Sequence, residues 1–221
     1  FNKITKNVIL PLAVASLPFI SYSQKTEKTK DGFPIKEHNE KGQVVREVKQ
    51  EKEKKICYDS KYDAQGNEIE KILKIDDEND GKFDYMEQVN FKYDPQGNEI
   101  EEIFKIDDEN NKRFDYMEQV NFKYDPQRNM IEKILRIDEK NDGKSDEMRQ
   151  YNFKYDAKGN IVEEILKIDY ENDGKFDKIR QYTIKYDDEG NEIEKILKID
   201  DETDGEFDYI ERIPVKKQNP F

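Results

Sequence analysis

The sequence predicts an all-β protein: one antiparallel meander of about twelve strands. Three observations carry that prediction. From Tyr62 onward the chain repeats every 31 residues, with Tyr-Asp pairs beginning at Tyr62, Tyr93, Tyr124, Tyr155 and Tyr186. Five copies in phase define a repeat array, the strongest signal in the chain. Within each unit, apolar and aromatic residues recur at every second position, as from Phe83 to Tyr93. That is the period of a strand, not of a helix. Turn signals of two kinds separate the apolar runs, so each unit reads as a hairpin.

The elements follow in chain order. Lys3 and Lys6 precede an uncharged apolar stretch from Val8 to Ile20, and Ser21-Tyr22-Ser23 offers a small-x-small cleavage site. That order predicts an export signal over residues 1–23. The apolar run is too short for a spanning helix, which needs about 20 residues. Cleavage there leaves 198 residues with net charge −15. Residues 24–37 are polar and aperiodic and read as a flexible leader. Residues 38–61 read as a degenerate capping hairpin, because Asn39-Glu40-Lys41-Gly42-Gln43 echoes the later turns without the acidic loop. Five tandem hairpin repeats then occupy 62–216, followed by a short tail at 217–221.

Each unit opens on a turn such as Asp63-Ala64-Gln65-Gly66, which fits a type I turn ending in a left-handed Gly. Arg128 takes the place of that Gly in the third copy and is expected to cost roughly 1 kcal/mol of backbone strain. The Ile-rich run Glu68 to Asp76 is the first strand. An acidic loop, Asp76 to Asp84, leads into the second. A register with Ile75 opposite Phe83, Lys71 opposite Glu87 and Lys74 opposite Asp84 keeps apolar residues together and opposes unlike charges. It also aligns a charged row on the aromatic face: Lys71, Glu87, Glu102, Glu118, Lys133, Arg149, Glu164, Arg180, Lys195 and Glu211. Pro214 ends the last strand, as proline does on a sheet edge. A sheet this wide is expected to coil strongly, as an open superhelical ribbon or a rolled shell.

Composition bounds the function. The 221 residues are 41% charged and 33% hydrophobic, with net charge −13. An ordinary globular chain is roughly 25% charged and 45–50% apolar. These values exclude a polytopic membrane protein and a Cys-rich scaffold, and the acidity disfavours nucleic acid as a partner. No transmembrane segment is expected in the mature chain. Cys57 and His38 are the only residues of their kinds. Cys57 has no internal disulfide partner and is expected as a buried small hydrophobe. A catalytic triad or a His-ligated zinc site would need several convergent groups around His38. The chain is therefore read as no enzyme. A hydrolase with a carboxylate pair is the lesser alternative, and repetition argues against it because an active site is normally unique.

The acidic loop is the one motif with binding chemistry. Asp76-Asp77-Glu78-Asn79-Asp80-Gly81-Lys82-Phe83-Asp84 resembles the calcium loop DxDxDGxxD. Calcium takes six to eight oxygens and needs several carboxylates within one short turn. The candidate ligands are Asp76, Glu78, Asp80 and Asp84, then Asp169, Glu171, Asp173 and Asp177, then Asp200, Glu202, Asp204 and Asp208. Lys140 in the third loop and Asn111-Lys112 in the second weaken those copies. The other reading is a solvated acidic turn in which Asp-Gly supplies the bend. The loops at 76–84, 107–115, 138–146, 169–177 and 200–208 carry −4, −2, −2, −3 and −6, so the chain's excess acid lies along one edge of the sheet.

The turn Tyr62-Asp63-Ala64-Gln65-Gly66-Asn67 and its copies resemble the YD repeats of bacterial RHS-type proteins, over about six residues in each of five units. The resemblance implies coiled β-repeats in an exported setting: periplasmic, cell-surface or secreted. It transfers no catalytic residue, and the toxin-encapsulating role is not carried over. The function expected is a non-catalytic binding, adhesion or structural module of the bacterial envelope, with a protein or glycan partner. The alternative is a calcium-responsive structural repeat whose loops bind Ca2+.

Overall fold

A computed structural model describes residues 33–108, 111 and 113–215, and the backbone of the strand at 25–28. The predicted export segment lies outside the described residues. Among the described residues fourteen strands form one sheet in strict sequence order. They are β1 Lys25–Lys28, β2 Ile35–His38, β3 Val44–Glu51, β4 Lys54–Tyr62, β5 Glu68–Asp76, β6 Tyr85–Tyr93, β7 Glu99–Asp107, β8 Tyr116–Tyr124, β9 Met130–Asp138, β10 Glu147–Tyr155, β11 Ile161–Asp169, β12 Lys178–Tyr186, β13 Glu192–Asp200 and β14 Tyr209–Ile213. Every pairing is antiparallel. The all-β meander is as expected, with two strands more than the dozen predicted. The extra pair is β1 and β2, which fall in the stretch read as a leader. Their short polar sequences carry too little periodicity to announce strands, yet Ile35 of β2 pairs opposite the buried Val48 of β3. The cap is a tight hairpin, with Glu51 opposite Lys54 and Lys52 at φ 57°.

The register differs from the expected one by two residues. Ile75 faces Tyr85, Leu73 faces Glu87 and Lys71 faces Val89. Side chains keep their expected faces, because a shift of two preserves the alternation. The acidic loop is what sets the offset. Asp84 is not a strand residue: its N–H closes the hairpin onto the Ile75 carbonyl at 2.7 Å. Phe83 folds back beneath the Lys74 ammonium, 5.7 Å from the ring centre. The same Lys–Phe contact recurs at Lys105–Phe114, Lys167–Phe176 and Lys198–Phe207. Half-buried Lys74 thus meets an aromatic ring, and Asp59 of β4 at 3.0 Å, instead of Asp84.

The shift also breaks up the charged row. Glu87 lies between Leu73 and Ile106, and Arg180 between Leu166 and Ile199. Lys133 lies between Phe122 and Tyr151 and sits over both rings. Charges alternate with apolar neighbours, so no ladder of directly opposed ion pairs runs along the aromatic face.

Coiling has two visible sources. Lys71 pairs with Val89, and Val89 pairs with Phe104. Phe104 is the counterpart of Leu73 one unit on, so the sheet climbs two residues per repeat. Each unit also carries a bulge: Lys61 pairs with Glu70 but Tyr62 with Glu68, leaving Ile69 as the extra residue. Bulges bend a strand and increase its twist. The sheet does not close into a barrel, since β1 and β14 stand at opposite ends of the order. Each strand contacts only its neighbours in sequence. The buried apolar set among the described residues is small: Val48, Cys57, Val120, Ile168 and Ile184. Cys57 is 1% exposed, with Val48 and Lys74 opposite it on the flanking strands.

Candidate functional site

The two turn edges concentrate the polar chemistry. At the Tyr-Asp edge, the Asp63 carboxylate accepts the Gly66 and Asn67 N–H groups at 2.7 and 2.8 Å, and the Asn67 side-chain amide at 2.9 Å. Gly66, at φ 99°, supplies the left-handed residue that the turn requires. The same Asp–Asn clasp recurs at Asp94, Asp125, Asp156 and Asp187. At Asp156 the Asn160 amide, followed by backbone N–H groups, holds the carboxyl below its ordinary range. The tyrosine completes the motif by reaching back one unit. Tyr93 donates to the Glu68 carbonyl, Tyr155 to that of Met130 and Tyr186 to that of Ile161. Arg128 sits at φ 71°, as its place in the turn demands, and donates through Nε to Asn98 in the preceding turn at 2.8 Å.

On the face opposite the aromatic side chains, a row of glutamates is clasped from both sides. Lys61 pairs with Glu70 at 2.5 Å, Lys123 with Glu132 at 2.5 Å and Lys154 with Glu163 at 2.6 Å. Lys92–Glu101 and Lys185–Glu194 repeat the contact. From the next strand, Gln88, Gln119, Gln150 and Gln181 donate to the same carboxylates. Arg212 replaces the glutamine in the last unit and pairs with Glu194. At Glu132 the Lys123 ammonium comes first among the groups that depress the carboxyl. These are the residues that the sequence reading missed. The signal for them is a Lys–Glu spacing of nine that recurs in every unit.

The acidic loops place the predicted ligands as follows. Asp76, Asp169 and Asp200 end strands and are buried, at 1, 0 and 3% exposed. Both oxygens of Asp76 accept loop N–H groups, from Asp80 at 3.1 Å and Gly81 at 3.0 Å. Asp169 does the same toward Asp173 and Gly174. Asp80 and Asp173 each turn an oxygen to the N–H two residues on, in Lys82 and Lys175. Asp84, Asp177 and Asp208 cap the N–H groups of Asp77, Tyr170 and Asp201. Glu78, Glu171 and Glu202 are exposed at the loop surface. The carboxylates converge on the loop's own backbone. Among the described residues no group of three or more His, Cys, Asp or Glu side chains is arranged to hold a metal ion.

The fifth loop departs in one detail. Gly205 donates to Asp200 Oδ2 at 3.2 Å, while Oδ1 is buried with no hydrogen-bond partner. This loop holds six acidic residues and no basic one between Asp200 and Asp208.

No family model matches the chain, and no curated protein matches it in sequence. Fold and turn chemistry together define a tandem β-hairpin repeat protein with a single-layer sheet. Among the described residues no helix is long and apolar enough to cross a membrane.

Proposed function

We propose that this chain is an exported, non-catalytic β-repeat module that serves the bacterial envelope as a binding or structural element. One observation carries the reading. The polar residues that recur in phase (the Asp–Asn clasps, the tyrosine latches and the Lys–Glu–Gln rows) are engaged in closing the turns and in tying neighbouring strands together. What the repetition produces is a long two-faced surface. The segment from Lys3 to Ser23 supports export. Cell fractionation with amino-terminal sequencing tests this: a chain outside the cytoplasm that starts at Gln24 is expected. A cytoplasmic chain retaining residues 1–23 overturns the exported setting.

A second reading is favoured by Asp200. A buried carboxylate oxygen without a donor, in the most acidic loop, is the feature a calcium ion would satisfy. Asp200, Glu202, Asp204 and Asp208 would supply oxygens there. Millimolar calcium is then expected to raise the melting temperature, and EDTA to reverse it. The gain should vanish in Asp204→Asn. An identical melt with calcium and with EDTA sinks this reading and leaves the first intact.

A further inference from the structure

Strands β2 to β13 are each hydrogen-bonded on both sides, whereas the outer edges of β1 and β14 have no partner strand among the described residues. The two edges are of different kind. Even-numbered strands lead into the Tyr-Asp turns or their cap counterpart, and odd-numbered strands follow them. The free edge of β14 is therefore the edge that an odd strand covers in every inner unit: β7 on β6, β9 on β8, β11 on β10 and β13 on β12. β1 is an odd strand by position, since it precedes β2 and pairs antiparallel with it. The even total of fourteen strands among the described residues makes the two ends complementary in direction as well as in kind.

The β14 end also exposes what a further strand would cover. On β14 itself Ile210 is 61% and Tyr209 48% exposed. The inner counterparts of Ile210, namely Met86, Met117, Met148 and Ile179, are only half-exposed or less. Unpaired apolar edges are normally blunted, because they template pairing with another chain. Here the blunting is partial: Pro214 stops β14 after five residues, and β1 is four residues long. The two free edges are close in length, so an overlap between them would be short, and a contact through it weak and concentration-dependent.

From this we propose that the ribbon extends head to tail, with β1 of one copy adding to β14 of another. The order β13-β14-β1-β2 then carries the antiparallel alternation across the junction. Such a contact is heterologous and does not close on two copies, so assembly continues beyond a dimer. It stands independently of the export and calcium readings.

Sedimentation velocity over a concentration series tests the proposal, on the full chain and on the chain from Gln24. The expected result is a mass that rises past two copies for either. Ile210→Lys blocks the β14 edge and Thr26→Pro the β1 edge, and each is expected to be monomeric alone. Mixed, they retain one open edge of each kind and should form a complex of two copies and no more. Melting and circular dichroism of each variant check that the monomer is folded, and Ile210→Lys lies at a position exposed enough to leave it so. A wild-type chain that is monomeric throughout overturns the proposal. So does a Thr26→Pro chain that still dimerises, which is the signature of β14 pairing with itself.

Discussion

The phenolic hydroxyl of Tyr93 donates to the backbone carbonyl of Glu68 at 2.9 Å, spanning 25 residues of sequence. Tyr155 and Met130 repeat the contact at 2.7 Å. The bond joins the end of one even strand to the start of the odd strand in the preceding unit. It gives the tyrosine of the Tyr-Asp pair a structural reason, and burial raises the pKa of these phenols.

Tyr155→Phe keeps the ring and removes that donor. A neutral hydrogen bond contributes about 1 kcal/mol net. A loss of that size is expected in chemical denaturation, with amide exchange near Met130 accelerated more than exchange in β4. Each repeat contacts only its neighbours, so the effect should stay local.

Arg128 and Gly159 occupy the same turn position, at φ 71° and 88°. Arg128→Gly is expected to stabilise the chain by about 0.5–1 kcal/mol, offset in part by loss of the exposed bond to Asn98. Gly159→Ala is expected to destabilise by about 1 kcal/mol. A Cβ there meets nothing within 4 Å, so the cost is all backbone. Thermal melts of the two variants should move in opposite directions.

Asp169 is fully buried and accepts the N–H groups of Asp173 and Gly174 at 3.1 and 2.9 Å. Asp169→Ala leaves both donors without an acceptor and is expected to cost about 2–4 kcal/mol. Asp169→Asn retains one acceptor and should cost less. Equal melting temperatures for wild type and the Ala variant would show that the loop does not depend on its buried carboxylate.

Stability should fall at both ends of the pH scale. At Asp156 the Asn160 amide, and at Glu132 the Lys123 ammonium, lower the folded-state pKa. Carboxyls depressed on folding stabilise fully above their unfolded values, near 4, and lose that contribution as pH drops through the folded ones. Denaturant midpoints are therefore expected to decline below about pH 4. At Tyr85, burial and then the bond to Glu87 push the phenol up to about 12. A raised tyrosine stabilises below its unfolded value near 10 and ceases to do so as pH rises through the folded one. Tyrosinate absorbance should show the phenols titrating late, with loss of structure between pH 10 and 12.

Much of the fold was legible in the residues themselves. The first strand of each unit, Glu68–Asp76 in β5, stands where the Ile-rich run places it. The left-handed turn residues fall on Gly66, Gly97, Gly159, Gly190 and Arg128, as the turn chemistry requires. Side-chain faces were legible too, because alternation fixes them whatever the offset. The offset was not legible. It depends on how Asp76 and Asp84 spend their oxygens inside the loop and on Phe83 tucking beneath Lys74, and those contacts are invisible to a pattern of alternating polarity. The candidate ligands show the same division. Their spacing reads as a calcium loop, while the fold directs most of those carboxylates at backbone N–H groups and leaves one oxygen of Asp200 without a donor.

The sequence by itself determined the repeat, its period, the two kinds of turn and the all-β class. These rest on local chemistry that every unit restates: alternation, left-handed glycines and side chains that cap their own backbone. The tertiary structure decided the rest. It recruited β1 and β2, shifted the register by two residues and separated the charged row into ions flanked by apolar neighbours. It also left the sheet open, with an odd edge at one end and an even edge at the other. Those outcomes depend on which strands meet and at what offset, and strand pairing between distant residues is a property of the assembled sheet, not of any one segment.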